Sequence, residues 1–150
     1  MGISTISFKS AEQGSKMTTA IVSFLSSFFS MLAIDAVWLL TMSKWFYKPH
    51  LSHLMAETPR LLPVAIFYVV YAFGLTFLVI LPALQTGQGL FKVFLLGALL
   101  GFVAYATYDL TNQATLKDWP VIVSIVDLAW GTLLTGAVSV ISTLSVRYFS

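Results

Sequence analysis

Residues Thr19–Met42, TAIVSFLSSFFSMLAIDAVWLLTM, form the stretch that decides the fold. The run is apolar throughout and contains a single charged side chain, Asp35. An α-helix needs about 20 apolar residues to cross roughly 30 Å of hydrocarbon, and this run is long enough. Three runs of comparable length follow at 61–84, 90–111 and 120–146. The sequence therefore predicts four transmembrane helices.

The composition supports this interpretation and excludes a soluble fold. Of the 150 residues, 58% are hydrophobic and only 9% are charged, whereas a soluble domain carries about 25% charged residues. A soluble domain of this size could not bury so much apolar surface. The runs are too long and continuous for membrane strands, which alternate apolar and polar positions. We predict an all-α integral membrane protein, an antiparallel four-helix bundle with both termini on the same side.

The predicted organisation is one transmembrane domain, 19–146, between two short tails. Residues 1–18 are a polar tail in which Met17 is a candidate later start, and 147–150 are the C-terminal tail. No small-x-small cleavage site follows the first run, so we interpret it as a retained helix and not a signal peptide. The connection 43–60 carries an aromatic belt, and its segment 50–57 is predicted to be a short surface helix.

Several classes of site are excluded or weakly indicated. The chain has no cysteine, which excludes disulfides, thiolate metal sites and a cysteine nucleophile. It has no basic run that could bind nucleic acid and no hydrolase, phosphate-loop or dinucleotide motif, so no cofactor is predicted. The residues at i, i+3 and i+7 of one segment, His50, His53 and Glu57, would lie on one face of a helix. They are weak candidates for metal ligands, although such residues are more often simply solvated. The two histidines in the chain are too few for a di-iron enzyme built on histidine boxes.

Three aspartates lie within or at the edge of the apolar runs. A carboxylate inside a membrane costs roughly 2.5–3.5 kcal/mol on insertion, so it normally faces a polar interior and serves a function. Asp35 lies seven residues before Met42, and Asp127 lies seven residues after Pro120. At 1.5 Å per residue both are about 10 Å from the same side of the bundle, and Asp109 lies nearer that side. All three acids are therefore predicted in one half of the membrane.

Each aspartate ends a stripe of small or polar residues at helical i+4 spacing. Such stripes let membrane helices approach closely, which predicts that the acids point inward with their stripes. The predicted packing residues are Gly97, Gly101, Gly131 and Thr135. The predicted ligand or ion pocket comprises Asp35, Trp38, Tyr105, Tyr108, Asp109, Asn112, Asp127 and Trp130. The second run lacks such a stripe, so we expect it to face lipid for the most part.

Two local motifs resemble each other, Asp35-Ala-Val-Trp38 and Asp127-Leu-Ala-Trp130. Because their helices are predicted to run in opposite directions, we interpret the likeness as matched depth and not as duplication. The two tryptophans could line a ligand pocket, but helix packing or anchoring at the membrane surface is the more common role.

The chain also resembles a known bacterial membrane family. The resemblance is carried by the 104–112 stretch AYATYDLTN with the following Ala-Thr-Leu at 114–116 and Trp-Pro at 119–120, by VDLAWGT at 126–132, and by DAVWL at 35–39 with Phe-Tyr at 46–47. The family is known as domain of unknown function 2177, a predicted membrane protein. The resemblance covers about 17–146 and implies four spans, no established activity and a weakly indicated lipid-related role. The polar extension before Met17 departs from the family pattern.

These observations leave three hypotheses for function. The first, which we favour, is a non-enzymatic protein whose acid-lined pocket binds or transports a proton, a cation or a lipid-like ligand. The second is a cofactor-free membrane enzyme of lipid modification that uses aspartate acid–base chemistry. The third is a structural or assembly subunit of a larger complex. The expected location is the bacterial inner membrane as a multi-pass protein, with membrane lipid and further copies or subunits as partners and no nucleic acid.

Overall fold

The computed structural model describes residues 3–149 of the chain, with side chains from residue 12 onward. Within this part of the chain there are four continuous helices. They are α1, residues 3–51; α2, Leu61–Gln85; α3, Leu90–Thr115; and α4, Val121–Phe149. All four are long and apolar enough to cross a membrane. The prediction of an all-helical protein with four membrane-length helices is confirmed, and the placement of both termini on one side stays a prediction.

Two of the helices contain a wide π-helical turn just before a proline. In α1 the regular helix Ile3–Met42 continues through a π segment, Ser43–Tyr47, into the short turn Lys48–Leu51. The Lys48 amide donates to the carbonyl of Ser43, five residues back. Proline has no amide hydrogen and its ring collides with the carbonyl four residues earlier, and a wider turn accommodates both effects. The second π segment, Thr76–Ile80, lies in the same relation to Pro82.

The first helix is consequently longer than the sequence predicted. Residues that were expected to form an interfacial loop continue α1 as far as Leu51. The short surface helix predicted at 50–57 was wrong, because 52–60 form turns and irregular backbone. The π segment explains the difference, since it lets the helix continue past Pro49 where an ordinary α-helix would end or kink.

Helices α3 and α4 approach closely at their glycines. A Cβ atom added to Gly101 would collide with the carbonyl oxygen of Gly131 and the side chain of Thr135. A Cβ atom added to Gly97 would collide with the side chain of Ser139. All four residues predicted for helix packing therefore lie in the α3–α4 contact, where the backbones are too close for larger side chains.

Helices α1 and α4 are joined by hydroxyl groups. Ser26 donates to Ser145 at 3.0 Å and Ser27 donates to Ser142 at 3.0 Å. Ser142 donates in turn to the carbonyl oxygen of Ser23 at 2.9 Å. Further along α1, Asp35 is hydrogen-bonded to Trp130 of α4, so over their length higher numbers in α1 meet lower numbers in α4. Interhelical hydrogen bonds of this kind supply the specificity that apolar contact alone lacks in lipid.

Helix α2 contributes a large share of the apolar core. The buried core residues are Met31 from α1, Tyr68, Leu75, Val79, Ile80 and Ala83 from α2, Val93 from α3, and Leu134 and Val138 from α4. In its most apolar window 33% of α2 is buried, against 22% for α1 and for α3. Most of α2 still faces outward, as expected, but its buried share is larger than that of α1 or α3, so α2 is not the exception that the sequence predicted. Its inward face is built from large apolar and aromatic residues, a composition that resembles a lipid-facing surface.

Candidate functional site

Asp35 is held at the centre of the bundle by two hydrogen bonds from other helices. The Tyr68 hydroxyl of α2 donates to Asp35 Oδ2 at 2.6 Å, and the Trp130 indole of α4 donates to Oδ1 at 3.0 Å. The Asp35 side chain is buried, with 6% of the residue exposed. Because each carboxyl oxygen has its own donor, Asp35 ties α1, α2 and α4 together, and these bonds compensate for the free-energy cost of burying the carboxyl group.

Asp127 has a different pair of neighbours. The Tyr47 hydroxyl donates to Asp127 Oδ1 at 2.5 Å, and the Trp38 indole donates to that same hydroxyl at 3.0 Å. Trp38 therefore reaches Asp127 through Tyr47. The π segment makes this possible, because residues nine apart in a regular α-helix point to nearly opposite sides. The wider turn rotates Tyr47 back toward Trp38 and α4.

The two indole rings join these groups into one arrangement. Trp38 and Trp130 stack with ring centroids 4.1 Å apart and an angle of 8° between their planes. We call the six residues the Asp–Trp network: Asp35, Trp38, Tyr47, Tyr68, Asp127 and Trp130. Offset stacking of aromatic rings adds to their apolar burial and fixes their orientation, so the network is rigidly positioned where α1, α2 and α4 meet.

An open cleft of about 390 Å³ lies beside the network, between α2 and α3. We call it the aromatic cleft; its lining residues are Phe67, Tyr71, Ala104, Tyr105, Tyr108 and Asp127. Asp127 is the only acidic residue among them, and in the described part of the chain its carboxylate receives a hydrogen bond at Oδ1 alone. The Oδ2 atom has no hydrogen-bond donor among the described residues.

Two of the aromatic rings that line the cleft are held in place. The Tyr71 hydroxyl is hydrogen-bonded to Thr135 Oγ1 at 2.7 Å. The ring of Tyr105 lies over Gly131, where an added Cβ atom would collide with it. Gly131 is therefore required both for the close approach of α3 and α4 and for seating Tyr105. A site whose walls are fixed before binding avoids part of the entropy cost of ordering them.

The remaining predicted site residues are not members of the network. Asp109 is fully buried, and neither of its carboxyl oxygens has a hydrogen-bond partner among the described residues. Asn112 is partly buried one turn further along α3. Tyr108 is 59% exposed and makes an edge-to-face contact with Trp119, with ring centroids 6.0 Å apart. The structure thus brings together Asp35, Trp38, Asp127 and Trp130, places Tyr105 and Tyr108 in the cleft, and leaves Asp109 and Asn112 outside both.

Residues 20–144 match a family model described as "Predicted membrane protein (DUF2177)". The chain belongs to this family. The match includes every residue of the Asp–Trp network and of the aromatic cleft. No curated protein and no solved structure matches the chain. With its four apolar helices, this DUF2177 member is a multi-pass integral membrane protein.

The weak metal candidates of this DUF2177 member do not form a cluster. His50 Nδ1 donates to the carbonyl oxygen of Phe46 at 2.8 Å, whereas His53 and Glu57 are exposed in the irregular segment that follows α1. Among the side chains from residue 12 to 149, no three histidine, aspartate or glutamate residues come close enough to share a metal ion. The i, i+3, i+7 spacing could place the three on one face only in a helix, and the helix ends at Leu51.

Three tyrosines at the site were not predicted from the sequence. Tyr68 lies seven residues after Leu61, so the depth argument applied to Asp35 and Asp127 would have placed it level with them. Tyr71 follows one turn later on the same face of α2. Tyr47 carried no such signal, because it was assigned to the interfacial belt and only the π segment turns it inward.

Proposed function

We propose that this DUF2177 member is a non-enzymatic protein of the bacterial inner membrane that binds a lipid-like ligand in the aromatic cleft. The observation that carries the proposal is the cleft itself. Its walls are aromatic or aliphatic except for one carboxylate, Asp127. Small-molecule sites have this composition, with mostly apolar walls and a few polar groups that orient the ligand.

The size and position of the cleft support an amphipathic ligand. Its volume of about 390 Å³ lies within the range of roughly 300–1,000 Å³ that is typical of ligand sites. It is a half-open space between α2 and α3 and not an enclosed cavity in the bundle centre. A molecule in the hydrocarbon layer could therefore enter sideways, with its apolar chain remaining in lipid.

The hydrogen bonds favour binding over catalysis. Acid–base catalysis needs titratable groups within reach of the same reacting atom. Asp35 is buried with both oxygens occupied by Tyr68 and Trp130, so it cannot approach a ligand in the cleft. Asp127 has one oxygen without a donor among the described residues, which suits a group that holds the polar end of a ligand.

Native mass spectrometry of the protein extracted in mild detergent tests the proposal. The wild type should retain an amphipathic molecule, and the same spectrum reports how many copies of the chain associate. Ala104→Trp places an indole in the cleft and should abolish retention. Leu99→Trp is the matched control, because Leu99 lies on the same helix, is 60% exposed and does not line the cleft. Equal retention by the two variants would contradict the proposal.

A further inference from the structure

We infer that the polar end of the ligand is an organic ammonium group carried on an alkyl chain. This inference rests on the proposed function, since it names the chemistry that the aromatic cleft recognises. Four aromatic residues, Phe67, Tyr71, Tyr105 and Tyr108, line the same cleft as the one carboxylate, that of Asp127. Proteins recognise organic ammonium groups with several aromatic rings placed around the cation, and a nearby carboxylate attracts the same charge.

The rings provide the first part of the recognition. The face of an aromatic ring is electron-rich, and a cation placed over it gains about 0.5–2 kcal/mol, the larger values applying when water is excluded. Tyr105 is seated on Gly131 and Tyr71 is fixed by Thr135, so two of the four rings are already positioned. A neutral hydroxyl or an anionic head group would gain nothing comparable from these walls.

The charge balance provides the second part. Among the described side chains the one ion pair joins Lys16 to Glu12, far along the chain from the cleft. Among the described residues Asp127 receives one hydrogen bond, from a neutral tyrosine, and none of them supplies a counter-charge to its carboxylate. An ammonium group bound at Oδ2 would supply that charge, whereas a second anion would be repelled.

The same donor set disfavours an inorganic cation. Calcium takes six to eight oxygen ligands, and magnesium requires six in octahedral geometry. The cleft offers one free carboxylate oxygen and the tyrosine hydroxyls, of which that of Tyr71 is already engaged. Aromatic walls compensate for lost hydration of a bulky organic cation but not of a small hard ion.

A titration with matched probes tests the inference. Three molecules with the same twelve-carbon chain, dodecyltrimethylammonium, dodecanol and dodecanoate, are added to the full-length protein in lipid nanodiscs, and binding is followed by native mass spectrometry. We expect the ammonium probe to bind at least about tenfold more tightly than dodecanol, which corresponds to about 1.4 kcal/mol. Dodecanoate should bind more weakly than either.

Three variants show which residues carry the preference. Asp127→Asn should reduce the ammonium preference to within about threefold of dodecanol, since it removes the charge and keeps the shape. Asp118→Asn is the matched control; it removes the same charge from an exposed residue that belongs neither to the network nor to the cleft, and the preference should persist. Tyr108→Leu removes one ring at a largely exposed position and should weaken the preference even if Asp127→Asn fails to fold.

The outcomes separate this inference from the proposed function. Equal affinity for the three probes in the wild type, or an unchanged preference in Asp127→Asn or in Tyr108→Leu, would overturn the inference. Loss of probe binding in Ala104→Trp together with equal affinity in the wild type would leave the proposed function standing. If phosphatidylethanolamine in the nanodisc competes with the ammonium probe, the natural source of the ammonium group is a membrane lipid. If it does not compete, the source is a single-chain amine.

Discussion

Removing the Tyr68 hydroxyl should destabilise the protein, because Asp35 depends on it for one of its two hydrogen bonds. The donor and acceptor atoms are 2.6 Å apart, and the two residues are 5% and 6% exposed. Water therefore cannot replace the lost hydroxyl in Tyr68→Phe. Leaving a buried acceptor unsatisfied costs about 1–3 kcal/mol, and more where the group is charged. We expect a loss of about 2 kcal/mol in the free energy of unfolding, from the same range.

Reversible unfolding in mixed micelles, driven by increasing the fraction of sodium dodecyl sulfate, measures this change. Tyr148→Phe is the matched control, because it removes the same hydroxyl from a residue that is 84% exposed. It should unfold at the wild-type detergent fraction. A shift in Tyr68→Phe no larger than that of the control would refute the claim that this bond stabilises the bundle.

A double-mutant cycle assigns the effect to the pair. In the Asp35→Leu background the Tyr68 hydroxyl has lost its acceptor, so the further change to phenylalanine should cost much less than it does alone. Residues in direct contact show interaction energies of about 0.5–3 kcal/mol in such cycles. Additive effects of the two substitutions would show that Tyr68 acts through apolar packing, and the hydrogen-bond argument would fail.

Three further substitutions test the packing, the unpaired acid and one strained turn by the same unfolding assay. Gly101→Ala should lower the free energy of unfolding by about 1–3 kcal/mol through overpacking, because the added Cβ would collide with the Gly131 carbonyl. Gly74→Ala is the control at an open helical position and should be neutral or stabilising. Equal effects of the two variants would exclude the close approach of the helices as the cause. Asp109→Leu should raise stability, since it replaces a fully buried carboxyl group that has no hydrogen-bond partner among the described residues by an apolar group, and a loss of stability would reveal a partner. Asp118 has a left-handed backbone with φ of 58°. Asp118→Val should therefore lower the free energy of unfolding by about 1–2 kcal/mol, whereas Asp118→Gly should not. Equal stability of the two variants would refute backbone strain at this position.

The helices could be predicted because the physical signal is local. Each apolar run is long enough to cross the hydrocarbon layer, and in lipid the backbone must satisfy its own hydrogen bonds. That requirement leaves a helix as the structure for runs such as Thr19–Met42 and 61–84, and the structure has four such helices. The ends were harder to predict, because the continuation of α1 to Leu51 depends on how the chain accommodates Pro49.

The partners of the acids could be predicted only in part. Spacing along one helix indicates which side chains share a face, but not which residues of another helix lie opposite. The stripes were enough to predict an inward direction for Asp35 and Asp127, and the structure places both in the network. That Asp109 has no hydrogen-bond partner among the described residues could not be predicted, because its contacts depend on the rotation of α3, which no local pattern encodes. Tyr47 was missed for a similar reason, since the π segment changes the face on which it lies.

The two Asp-x-x-Trp motifs gain a meaning from the order of the helix contacts. Along α1 and α4 the pairings run in opposite order, so an aspartate and a tryptophan three residues apart on each helix meet reciprocally. Trp130 lies opposite Asp35 and binds it directly, at 3.0 Å. On the other side of the stacked indoles, Tyr47 is inserted between Trp38 and Asp127.

Because Tyr47 is inserted on one side only, the aspartates of the two motifs have different chemical surroundings. Asp35 has a donor on each oxygen and is buried, so its contribution is to hold three helices together. Asp127 has one donor and lines the aromatic cleft, so one oxygen remains available to a ligand. A similar short motif thus supplies a structural carboxylate on one helix and a binding carboxylate on the other. The difference depends on the wide turn before Pro49, which turns Tyr47 toward α4.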